Sequence, residues 1–114
     1  MSEGAARFEK ACREWQTKLG LLDWSFRFEA IKGDSTKHAE VNMDHDAREA
    51  IFTFYTRGQH DYSPERLALH ECLHVLLVET LEAAVLRANI DHRDVAREEH
   101  RAIERLVNVL DGRQ

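Results

Sequence analysis

Ser63-Pro64-Glu65-Arg66-Leu67-Ala68-Leu69-His70-Glu71-Cys72-Leu73-His74-Val75-Leu76-Leu77 is the stretch around which the chain organises itself. Ser63 is a favoured N-cap residue and Pro64 suits the first helical turn, so a helix starts here. Its pattern runs to about Ala88. Inside it, His70-Glu71-Cys72-Leu73-His74 matches His-Glu-x-x-His. Residues i and i+4 of a helix share a face, so His70 and His74 can approach one ion. Glu71 sits beside that face, where it can act as a general base on water rather than as a ligand. Chance alone produces this pattern in about 5% of chains of such composition, so context has to carry the reading. Leu67, Leu73 and Leu77 flank His70 at i−3, i+3 and i+7, which puts both histidines on an inward-facing apolar stripe. Two core imidazoles with a carboxylate between them would be costly without a partner. A metal ion supplies that partner.

A site with two histidines needs a third ligand. An extension of the motif along the same segment would place Gly at 77 and His at 80, but the chain has Leu77 and Thr80. The ligand is therefore sought on a later helix, expected over roughly Arg93 to Leu110, capped by Asp91 and ended by Asp111-Gly112. Val95, Ala102, Ile103, Leu106, Val107 and Leu110 read as its inward stripe, and Glu99 falls on that stripe. Glu98 lies off its centre, His100 at its edge, and Glu104 further out. A carboxylate on a core stripe needs a compensating charge, which selects Glu99 over Glu98 and His100 as third ligand. The plainer alternative has Glu98, Glu99 and Glu104 as solvated charges pairing with Arg97, Arg101 and Arg105.

Upstream, Phe8, Ala11, Cys12, Trp15 and Leu19 recur at helical spacing over Ala5 to Leu19, with Gly20 as C′ residue. Three strand patterns follow: Trp24–Ile31, His38–Met43 and Glu49–Thr56, separated by Lys32-Gly33-Asp34-Ser35 and by a turn at Asp44-His45-Asp46. Short connections imply an antiparallel meander, or a mixed sheet if a helix crosses over. The order α-β-β-β-α-α makes the fold class α+β, one domain over 1–114 with helices on one face of a small sheet.

Composition agrees with a soluble globular domain: 114 residues, 43% hydrophobic and 32% charged, net charge −5. Without a basic block, sequence-independent nucleic-acid binding is not expected. The longest apolar run, Val75 to Val78, cannot cross a bilayer, and no signal-peptide pattern follows Met1. Two cysteines, Cys12 and Cys72, suggest a reduced, cytoplasmic compartment.

These pieces resemble the zincin metallopeptidases, specifically the gluzincin type, in which two His of the motif helix and a Glu of a following helix hold zinc. The chain is also similar to small metallopeptidase-like proteins encoded in phages and prophages. The matching segments are Trp24 to Phe28, His38 to Val41, Leu67 to Leu77, and Glu98-Glu99 through Leu106. The resemblance implies a minimal zincin-like domain binding one Zn2+ through His70, His74 and Glu99, with Glu71 as base and a peptide or protein as substrate. Ile103 stands where the type often carries a supporting Asp.

Tyr55, His60 and Tyr62 precede the motif helix and are candidates for oxyanion stabilisation. Asp44-His45-Asp46 reads as a turn rather than a second metal site, Cys72 as a packing residue, and Trp15 and Trp24 as core anchors. Two functions follow: a zinc peptidase, or a non-catalytic zinc domain whose surface binds a protein partner, such as one that completes the groove.

Overall fold

The computed structural model describes residues 2–33, 37–57, 62–88 and 92–111; for 79–88, 92, 94 and 95 it describes the backbone alone. The chain is an α+β domain with helices α1 (Glu3–Lys18), α2 (Pro64–Ala88) and α3 (His92–Leu110) and strands β1 (Ser25–Ile31), β2 (Ala39–Asp44) and β3 (Glu49–Tyr55). The expected Asp91 cap, the Gly112 stop and the Asp34-Ser35 part of the first strand connection lie outside the described residues.

Helix α1 starts two residues earlier than its apolar pattern, because the Ser2 hydroxyl accepts from Ala5 N and caps it. It ends at Gly20, whose φ of 72° places it in the left-handed region that glycine tolerates without strain. On α2, Ser63 Oγ accepts from Arg66 N, the capping contact expected of that residue.

The sheet is mixed, in the order β1-β3-β2. β3 runs parallel to β1 (Phe28 opposite Phe52) and antiparallel to β2 (Val41 opposite Phe52). The meander is therefore corrected, and no helix makes the crossover. The chain leaves β1, forms β2 at the far edge, and returns through a tight turn to fill the centre. The reason lies in β3 itself. Ala50, Phe52 and Phe54 bury one face, while Thr53 and Tyr55 are buried on the other. Charged side chains such as Arg27, Glu29 and Glu40 stay on the edge strands, where a half-wet environment accepts them. The Asp44-His45-Asp46 segment is the β2–β3 turn: Asp44 Oδ1 accepts from Ala47 N.

Phe8 and Cys12 of α1, Trp24, Phe26, Phe52 and Phe54 of the sheet region, and Cys72 and Val75 of α2 form the main core. Trp24 is an anchor; Trp15 is half-buried and joins this core to a second cluster of Leu69, Leu73, Ile103 and Val107. That second cluster is the α2–α3 seam. It is narrower than the apolar pattern of α3 suggests. Ile103 and Val107 are buried, but Ala102, Leu106 and Leu110 are exposed, which corrects the broad stripe read from sequence. Of the main elements, α3 packs against α2, and one neighbour covers one seam.

Candidate metal centre

His70 and His74 project from consecutive turns of α2 with ring centroids 5.1 Å apart. His100, from α3, brings its ring to 5.4 Å from that of His70. One donor atom from each of His70, His74 and His100 lies within 4.8 Å of the other two, so the three are close enough to bind a metal ion. The side chains of His70 and His74 are 18% and 22% exposed, half-buried at the seam rather than sealed in the core.

Each α2 histidine is held from behind by a carboxylate of α3. Glu104 Oε1 lies 2.7 Å from His70 Nδ1, and Glu99 Oε1 lies 3.3 Å from His74 Nδ1. Both rings thus commit Nδ1 to a carboxylate, which leaves Nε2 for a metal. A carboxylate behind a ligating imidazole fixes its tautomer and raises its basicity. Glu99 therefore meets the motif on the Nδ1 side of His74, and the grouped donors are those of His70, His74 and His100. The expectation that Glu104 lies further out is corrected: a helix seam places it against His70. Glu98 remains an exposed charge paired with Arg101 at 3.4 Å.

Glu71 is buried, and its Oε2 lies 4.0 Å from His70 Nε2. Burial pushes its carboxyl up to about 8, and the charge of Glu40 adds to this. A cation nearby would favour the ionised form and bring it down again. Burial also pulls both imidazoles below their ordinary value; for His70 the neighbouring His74 acts the same way, against Glu104, and for His74 the charge of Glu99 opposes it. Both rings are then neutral near neutral pH, the form that ligates.

A cavity of about 380 Å³ opens beside these groups, lined by Tyr62, Arg66, Leu67, His70, Glu71 and Val107 among others. Tyr62 reaches its wall. The Tyr55 hydroxyl instead donates to Glu40, and His60 lies outside the described residues. Cys72 faces away from this cavity into the core, its thiol donating to the Cys12 carbonyl. Arg66, Asn108 and Asp111, to which the sequence reading gives no role at the site, extend the same seam beyond Glu104. Their signal was a four-residue recurrence on each helix: Arg66, His70, His74 and His100, Glu104, Asn108.

No protein-family model, curated protein or solved structure matches the chain. Among the described residues, no helix is long and apolar enough to cross a membrane.

Proposed function

We propose that the chain is a zinc-dependent metallopeptidase of the zincin kind, with Glu71 as general base. The observation that carries the reading is the grouping of His70, His74 and His100 donors within 4.8 Å, with the buried carboxyl of Glu71 beside His70. The donor set fits zinc: three imidazoles with carboxylates behind two of them. His70 and His74 hold the ion, with His100 as third ligand. Glu99 is the alternative third ligand, supported by its half-buried carboxylate beside His74.

When bound, zinc supplies a Lewis acid that acidifies a water molecule and polarises a peptide carbonyl. Glu71 would take a proton from water at its carboxylate and deliver it to the departing amine. A cation beside Glu71 would favour its ionised form, the one that accepts a proton. The cavity takes the residues of a peptide or protein that flank the cleaved bond, with Tyr62 at its wall as oxyanion donor. A cytoplasmic setting agrees with two free, buried thiols.

The non-catalytic alternative uses the same ligands but gives Glu71 no task. Glu71→Gln preserves shape while removing the base, so zinc content should be retained. Peptide-library hydrolysis should fall by about 10²–10⁴-fold. Zinc-loaded wild type that cleaves nothing across the library would favour the binding domain. Cleavage that survives Glu71→Gln would remove Glu71 from the mechanism.

A further inference from the structure

Arg66 is a charge buried outside the donor set. Its side chain is 8% exposed, one turn before His70 on α2. Nη1 donates to Asp111 Oδ2 at 3.3 Å and Nη2 to Asn108 Oδ1 at 2.5 Å, both at the C-terminal end of α3. The guanidinium also lies over the Tyr62 ring, 5.0 Å from its centroid. The seam between the antiparallel helices thus carries three polar rungs. Arg66 meets Asn108 and Asp111, His70 meets Glu104, and His74 meets Glu99.

The apolar part of the seam does not by itself choose this arrangement. α3 carries two overlapping apolar stripes. Ile103 and Val107 are buried, while Leu106, Val109 and Leu110 are 38%, 72% and 45% exposed on the next face. Rolling α3 to turn Leu106 and Leu110 inward would offer two leucines in place of an isoleucine and a valine, and hydrophobic burial is non-directional. That roll would carry His100 and Glu104 away from α2, whereas Glu99, seven residues before Leu106, shares the face of Leu106 and would stay at the seam. Something directional must select the observed face, and buried polar contacts are the usual device for fixing helix register.

We propose that Arg66, through Asn108 and Asp111, is a positioning residue that sets the rotation and register of α3 on α2. It thereby brings His100 and Glu104 to the α2 histidines. The inference rests on the metal-site reading above. Of the three rungs, this one shares no residue with the donors or the carboxylates behind them, so it can be altered without removing a metal donor or its support.

The experiment compares zinc affinity, by chelator competition, in the wild type, in Asn108→Ala, and in Arg66→Met/Asn108→Ala/Asp111→Ala. Removing every member of a buried ion pair together is often close to neutral for stability, so the triple variant should keep a metal-free melting temperature near wild type. Its zinc affinity should nevertheless fall about tenfold or more, with a changed visible spectrum when Co2+ replaces zinc; misplaced supporting groups have effects of that size. Asn108→Ala should move both readouts in the same direction by less. Asn108 is exposed, so this variant carries the test if the triple one fails to fold. Wild-type affinity and spectrum in the variants would overturn the positioning role while leaving the metal site standing. A wild type that takes up no zinc would overturn the site and the inference together.

Discussion

Glu104 Oε1 lies 2.7 Å from His70 Nδ1, a contact between a carboxylate on α3 and a motif histidine on α2. The contact assigns the His70 ring its orientation before any ion arrives. If the carboxylate orients the ring, Glu104→Ala should weaken zinc binding by about 10–100-fold with a native circular dichroism spectrum. Glu104→Gln should weaken it less, since an amide oxygen still accepts from Nδ1–H. Chelator competition reads both, and equal, wild-type-like affinities would show that His70 needs no support from α3.

His100 and Glu99 make opposite claims on the third ligand position. The donor grouping favours His100, whereas Glu99 stands behind His74. His100→Ala should therefore reduce zinc affinity more than Glu99→Ala. Glu98→Ala should stay near wild type, because Glu98 is an exposed charge paired with Arg101. Zinc titrations of the three variants decide the order, and a larger loss in Glu99→Ala would return the ligand to Glu99.

The motif helix was legible because its evidence is local. Cap, apolar spacing and the His70–His74 pair all lie within a few turns of one element. The α+β class followed from the order of periods along the chain. The strand order was not legible, since β3 earns its central place through burial on both faces, and Thr53 and Tyr55 reveal that only against neighbours. The face of α3 was misjudged for a related reason. Ile103 and Leu106 have similar hydrophobicity, and one seam can bury only one of them. Glu104 and Arg66 look like ordinary surface charges until the other helix brings His70 to the first and Asn108 and Asp111 to the second.

The two α3 leucine-like positions give a direct stability contrast. Ile103 is fully buried between α2 and α3, while Leu106 is 38% exposed. Ile103→Ala should lose about 2–5 kcal/mol in urea unfolding, the range for a large aliphatic cut from a core. Leu106→Ala should lose well under half of that. Similar losses would mean that the broad apolar stripe of α3 is covered after all.

The metal-free protein should carry a pH signature from Glu71. Burial and the facing Glu40 hold its carboxyl up at about 8, against an ordinary value of 4.5, with His70 the nearest group on its own helix. A raised value means that the folded chain keeps the proton while the unfolded chain has lost it. The stabilisation is thus full below about 4.5 and is lost as pH rises through about 8. At complete ionisation the loss is of the order of 5 kcal/mol. Glu71→Gln cannot ionise, so in chelator its stability relative to wild type should climb steadily from pH 5 to pH 8. Taking the difference between the two proteins cancels the other carboxylates, including Glu65, which Arg7 holds below the usual range. Urea unfolding at several pH values measures it. A difference that stays flat would show that the Glu71 carboxyl ionises in the fold as freely as in water. With zinc bound the trend should shrink, because the ion stabilises the carboxylate that burial opposes.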